Sequence, residues 1–223
     1  MASATEPVWD GLTRPETIGE EGLRARQELA DAARNYDWPR VIGILSERQE
    51  LINSTRPGGS SLYAPLHQAA HGGAPREVIL KLIGLGAWRT LQNVRGERPV
   101  DVAEKHDHAD LLELLTPVLR RRVPPGVLLK MQAHFHSLIR SRAAREVDEH
   151  QLRLPELEPL LEFEDLRVWF PVPGMYGGFA YDLAADGIDA KLVSESWSRV
   201  VEGSGERHEI TSAGSALVAK GFV

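Results

Sequence analysis

Eight histidines are spread through 223 residues that contain no cysteine, so metal or acid–base chemistry here would have to come from imidazoles and carboxylates. His67 and His71 stand four residues apart and on one helix would share a face. His106 with His108, and His134 with His136, stand two apart. On a helix that spacing turns the rings about 200° from each other, so neither pair chelates one ion without a third ligand. We expect no metal and no cofactor. Near the C-terminus, Asp182, Glu195 and Glu209 with His208 are residue types of general acid–base catalysis, yet acidic sheet surfaces carry them routinely. Ser204 sits in Gly203-Ser204-Gly205, which reads as a hairpin turn with no base to activate the hydroxyl. The chain also has no nucleophile elbow, no Walker lysine and no glycine-rich phosphate loop between strand and helix. The expectation is a protein that is not an enzyme.

The elements that would position these residues begin with an internal repeat. Leu29-Ala30-Asp31-Ala32-Ala33 aligns with Leu66-His67-Gln68-Ala69-Ala70, 37 residues later, and Val100-Asp101-Val102-Ala103-Glu104 follows 34 residues after that. An apolar helical segment trails each block: Val41 to Leu45, Val78 to Ile83, and Leu111 to Leu115. Two short helices per period in the mid-thirties describe a stacked array in which no unit buries its stripe alone. Pro65 and Pro99 suit first helical positions, and Gly86 and Gly96 suit left-handed turns.

These residues resemble the ankyrin repeat family over about Glu28 to Val118. Ala64-Pro65-Leu66-His67-Gln68-Ala69-Ala70 is similar to its threonine-proline-leucine-histidine signature, with Ala64 in place of threonine. Leu85-Gly86-Ala87 resembles the usual end of the second helix, and Asn93 to Pro99 the turn into the next unit. The resemblance implies that His67 makes structural hydrogen bonds between units. Tyr36 and Asp107 depart from the family by standing where glycine is usual between the helices. The link around Arg56-Pro57-Gly58-Gly59-Ser60-Ser61 is three residues longer than its counterpart and reads as an exposed finger. From Val123 to Arg145, Leu128, Met131, Phe135, Leu138 and Ile139 fall on one helical face, which reads as a capping helix over the stack.

Beyond the acidic linker Glu146 to His150 the pattern turns extended. Arg167 to Val172, Gly177 to Leu183, and a long strand Ala190 to Val201 are expected, with turns at Pro173 to Tyr176 and Asp186-Gly187. Ser212 would cap a final short helix, Ser215 to Lys220. Along the long strand, Val193, Glu195, Trp197, Arg199 and Val201 share one face, and Leu192, Ser194, Ser196, Ser198 and Val200 the other. Tyr181, Glu195, Trp197, Arg199 and His208 are a candidate ligand patch, with a half-buried Trp197 edged by an ion pair as the alternative. This segment resembles the tails of uncharacterised bacterial ankyrin proteins, which implies no activity.

The expected fold class is α+β: an N-terminal arm over 1–27, a short α-solenoid of about three ankyrin-type helix pairs with its capping helix over 28–150, and a small antiparallel sheet module over 151–223. Hydrophobic residues make 42% and charged residues 26% of the chain, which is globular in character. Met1 to Glu20 lack the basic and apolar regions of a secretory signal, and no apolar run approaches bilayer length. A cytoplasmic location is expected, with no membrane partner. Net charge is −6 overall, but Glu146 to Val223 carry −9 and Met1 to Arg145 carry +3. That basic excess, concentrated in Arg120-Arg121-Arg122 and nearby, lacks interleaved aromatics, so nucleic acid is not an expected partner.

The expected function is protein–protein interaction through the stack, with Arg56, Leu62, Tyr63, Trp88, Arg89 and Arg95 as candidate binding residues at tips and finger. Packing against the following unit is the alternative for Tyr63 and Trp88. Two further readings stay open: a small enzyme or ligand-binding tail that uses the stack to recruit substrate, and an immunity or antitoxin protein whose acidic tail masks a basic site.

Overall fold

The computed structural model describes residues 7–199 and 204–221. Contacts divide the chain into two units: Leu12–Val118, and a second that joins the described residues up to Gly11 with those from Leu119 onward. Among the described residues, seven α-helices and a five-stranded antiparallel sheet make the class α+β.

The first unit is helical. Its helices are α1 (Glu20–Arg34), α2 (Trp38–Glu47), α3 (Pro65–His71), α4 (Arg76–Gly84), α5 (Pro99–Lys105) and α6 (Leu112–Leu115). Each odd helix contacts the even helix that follows it; α3 contacts both α1 and α5, and α4 contacts both α2 and α6. The same turn joins each pair. The N–H groups of Asp37, Ala74 and His108 donate to the carbonyls of Ala32, Ala69 and Ala103 at 2.9, 2.9 and 3.0 Å. The residue before each donor is left-handed: Tyr36 at φ 58°, Gly73 at φ 59° and Asp107 at φ 60°. Glycine adopts that conformation freely, whereas a residue with a Cβ loses roughly 1–2 kcal/mol.

Prolines begin α3 and α5, where no amide hydrogen is needed, and Asp37 caps α2 by accepting from the Arg40 N–H at 3.1 Å. One apolar cluster runs through all three pairs, including Leu29, Leu45, Leu66, Ala69, Ile79, Leu82 and Leu111, with Leu114 packed against it. Burying a leucine or isoleucine in this way stabilises by roughly 1.5–3 kcal/mol each. His67 is fully buried. Its Nδ1 accepts from the Ala64 N–H at 3.4 Å, and its Nε2 donates to the Glu97 carbonyl at 3.3 Å, which ties α3 to the turn ahead of α5.

The second unit is an antiparallel meander of β1 (Arg167–Val172), β2 (Gly177–Ala185), β3 (Lys191–Ser198), β4 (Ser204–Thr211) and β5 (Gly214–Lys220), paired in sequence order. Helix α7 (Pro125–Glu149) packs on one face of it and kinks at the buried Ala143 (φ −145°, ψ 35°). The expectation of a stack-capping helix is corrected here, because α7 belongs to the sheet unit. Met131, Phe135 and Ile139 do form a buried stripe, but the aromatic inner face of the sheet supplies its partner surface: Phe135 meets Phe179 at 6.3 Å and Tyr181 at 5.0 Å between ring centroids.

The arm expected over 1–27 is also divided. Val8 forms a parallel bridge to Trp169, the Trp9 N–H donates to the Trp169 carbonyl at 2.8 Å, and Trp9 is buried with its indole N–H on the Arg153 carbonyl. Helix α1 already begins at Glu20.

The final segment is a strand, not a helix. Five or six residues are too few to hold a helix by themselves, whereas β4 presents a row of unpaired backbone groups and Gly214 (φ 155°) closes a tight turn onto it. Strand β3 ends at Ser198, and Ser204 and Gly205 lie inside β4 instead of forming a turn. Val200, Val201 and Gly203 lie outside the described residues.

Candidate functional site

The helical unit carries a cleft of about 680 Å³ between its first helices and the long finger. Helix α1 contributes Arg26, Ala30 and Arg34, spaced by four so that they share a face; α3 contributes Gln68 and His71. Ser54 to Ser61 form the opposite wall. A second hollow of about 410 Å³ adjoins the first, since Ser60, Ser61, Tyr63 and His71 line both. It extends to Arg95 and Glu97 in the turn before α5, and to Lys105 and His106 at the end of α5. The walls are held by backbone bonds: Val94 N–H donates to the Ser61 carbonyl at 3.1 Å, and Gly58 N–H to the Thr13 carbonyl at 2.7 Å. Asn93 Oδ1 accepts from the N–H groups of Arg95 and Glu97 at 2.8 and 3.0 Å, fixing the second turn.

An aromatic and imidazole cluster occupies the middle of the cleft. Tyr36 Oη lies 2.9 Å from His71 Nδ1, the His71 and His106 ring centroids are 4.1 Å apart, and Tyr63 stacks on His67 at 5.5 Å. Burial, and then the neighbouring His106 and His108, push the His71 pKa below its ordinary value, so the His71 ring favours its neutral form. Among the described residues no group of three or more His, Asp or Glu is arranged to hold a metal ion.

Five bases line the two hollows (Arg26, Arg34, Arg56, Arg95 and Lys105) against the single acid Glu97. Arg56 pairs with Asp31 of α1, and Lys105 pairs with Glu97 at 2.9 Å. The hydrogen bonds from Asn93 and Lys105 hold the Glu97 carboxyl below its usual range. Arg34 and Arg95 are exposed and form no direct ion pair with a described residue, although Arg95 also acts on the Glu97 carboxyl through space; bases outnumber acids along the cleft lining.

The six candidate binding residues separate. Arg56, Tyr63 and Arg95 line the cleft. Leu62 is half-buried and left-handed (φ 56°) at the base of the finger. Trp88 is corrected to a core residue, 2% exposed, with its N–H on Asn53 Oδ1 at 2.9 Å; Asn53 Nδ2 in turn donates to the Gly86 carbonyl. Arg89 beside it is half-buried with its Nε covered. Both follow a helix end, where sequence alone suggests exposure, but Asn53 draws that loop inward. The cleft residues missed from sequence include Arg26, Arg34, Tyr36, Gln68, His71 and Lys105. The signal for those on helices is polar residues on one face, Arg26 and Arg34 eight apart on α1 and Gln68 and His71 three apart on α3.

The proposed ligand patch in the sheet unit is not one patch. Strand alternation sends Tyr181 and His208 to the α7 face, and Glu195 and Trp197 to the other. Tyr181 is fully enclosed, and burial raises its phenol pKa well above 10.0. His208 lies with Ser194 opposite it, Nε2 is 3.9 Å from Glu206, and Glu206 also pairs with Arg142 of α7. Burial lowers the His208 pKa, with Glu206 opposing and Arg142 reinforcing the shift. On the outer face Trp197 stacks on Trp169 (centroids 4.4 Å, 16° between planes) across Gly178, where a Cβ would come within 2.9 Å of the Trp169 ring. Glu195 pairs with Arg167 at 2.5 Å and Arg207 at 3.6 Å, so the ion pair expected beside Trp197 involves other arginines than Arg199. Burial raises the Asp182 pKa there, against the nearby Arg167. Glu195, Trp197 and Arg199 do line a hollow of about 280 Å³ with Glu206.

No protein-family model and no curated protein matches the chain. No helix among the described residues is long and apolar enough to cross a membrane.

Proposed function

We propose that this chain is a protein-interaction module that binds its partner in the cleft of an ankyrin-type stack. The observation that carries the reading is the cleft itself. It is preformed, walled by rigid loops and lined by Arg and Tyr, residue types that dominate binding energy at interfaces. A cleft held by internal hydrogen bonds loses little freedom when occupied. The ankyrin assignment is supported by three helix pairs whose equivalent turns start at Ala32, Ala69 and Ala103, by left-handed residues at matching places, and by the two bonds of His67. We read the partner as a soluble protein met in the cytoplasm, and the sheet unit as non-catalytic, since the register places His208 on the face opposite Asp182, Glu195 and Glu209.

The test is site-specific photo-crosslinking in the native cell with the whole chain. A crosslinker at Ser60, in the cleft wall, is expected to trap a discrete protein, and Gln68→Trp, which fills the cleft, is expected to abolish the adduct. Adducts formed only from a crosslinker at the exposed Ala184 of the sheet unit, or adducts at Ser60 that survive Gln68→Trp, would overturn the reading.

A further inference from the structure

We infer that the cleft selects an extended, acidic peptide segment, with carboxylates held at Arg34 and Arg95; this rests on the binding role proposed above. Charge is the first argument. The hollows present five bases against one acid, and Arg56 and Lys105 hold the two direct internal pairs. The exposed Arg34 and Arg95, the latter sharing only the through-space field of Glu97, are placed to meet an incoming anion. An arginine forks onto a carboxylate through two parallel hydrogen bonds, which makes such a pair directional as well as attractive.

Shape is the second argument. Arg34 ends α1 and Arg95 precedes α5, with α3 between. Packed helices stand about 8–10 Å apart, so the cleft runs for roughly 16–20 Å. An extended chain covers that with about six residues at ~3.3 Å each. Midway, the half-buried Gln68 amide makes no hydrogen bond to a described residue and can pair with the amide groups of an extended backbone, whose own N–H and C=O are not closed into a helix.

Nucleic acid fits less well. The tyrosines that would offer stacking faces are engaged: Tyr63 on His67, and Tyr36 with Trp38, His71 and the backbone at Gly72. Asp31 and Glu97 also interrupt the basic tract that a phosphate backbone would follow.

The test is fluorescence anisotropy with the whole chain at low salt, using labelled hexaglutamate, hexaglutamine and a single-stranded DNA 12-mer as probes. Hexaglutamate is expected to bind about tenfold or more tighter than hexaglutamine, with affinity falling as salt rises. Arg34→Glu with Arg95→Glu is expected to remove that preference. Arg34→Gln with Arg95→Gln should weaken it partway, and Arg145→Glu, an exposed site on α7, should leave it intact, with unchanged circular dichroism throughout. Equal binding of the two peptides, indifference to both double variants, or DNA binding that alone responds to them would each overturn the inference. A partner trapped at Ser60 whose binding ignores both arginine variants would sink the acidic segment and leave the interaction role standing. Loss of all cleft-dependent trapping, with hexaglutamate binding intact, would do the reverse.

Discussion

At the scale of single residues, Trp9 shows how far a local reading falls short. It lies in a stretch with no helical or strand periodicity, yet it is 2% exposed, with its indole N–H on the Arg153 carbonyl and the Arg153 guanidinium 5.1 Å above its ring. Trp9→Ala is expected to cost about 3–5 kcal/mol of stability in the sheet unit, as a truncated core aromatic does. Urea unfolding followed by tryptophan fluorescence would measure it, and a loss under 1 kcal/mol would refute the assigned burial. Pro65 and Pro99 are the converse, because their places follow from residue type and spacing, while the place of His67 followed from the resemblance of Ala64 to Ala70 to a repeat signature. Trp88 could not be placed that way. An indole after a helix end is outward-facing by default, whereas here it is 2% exposed in a loop whose backbone the distant Asn53 holds.

Among elements, strands β1 and β2 were legible because alternation and bounding turns are local, and the repeat spacing marked α3 and α5. Strand β5 was not. Its sequence, Gly214 to Lys220, suits either conformation, and the unpaired edge of β4 settles the matter. As a result β5 leaves Leu217 and Val218 half exposed on an open edge, an arrangement that invites association between chains. Val218→Lys is expected to change stability by less than about 0.5 kcal/mol while delaying aggregation on concentration, read by light scattering. Unaltered or faster aggregation would count against an open edge there. In the helical unit, Gly73→Ala places a Cβ at φ 59° within 2.6 Å of the His108 ring, so a loss of about 1–2 kcal/mol is expected in thermal unfolding.

For the whole molecule, three histidines tie stability to acidity in one direction. Burial lowers the pKa of His71, His136 and His208 below 6.5, although the His136 N–H donates to the Pro155 carbonyl at 2.7 Å. Unfolding frees each to bind a proton near its ordinary value, so the unfolded state takes up more protons just below pH 6.5. Their contribution is therefore complete above 6.5 and is lost as pH falls through the folded pKa values. Asp182 runs the other way: its raised pKa favours the protonated fold, and that contribution is lost as pH rises through the folded value. Chemical denaturation at pH 7.5 and 5.5 is expected to show lower stability at 5.5. The difference should shrink in His136→Gln with His208→Gln, and an unchanged difference would remove these two groups as its cause.

The sequence by itself determined the period of the repeat, by likeness between segments 34 to 37 residues apart, and the starts of α3 and α5, the alternation of the strands and the apolar stripe of α7, because each of these depends on neighbours within a few turns of chain. Tertiary structure decided what each surface meets. The α7 stripe goes to the sheet because the sheet offers aromatic area that a helical pattern cannot name in advance. Tyr181 and His208 part from Glu195 and Trp197 because register, fixed across strands, sets the face each side chain takes. The basic cleft likewise exists only once α1, α3 and α5 lie side by side, gathering charges that stand up to 79 residues apart in the chain, from Arg26 to Lys105.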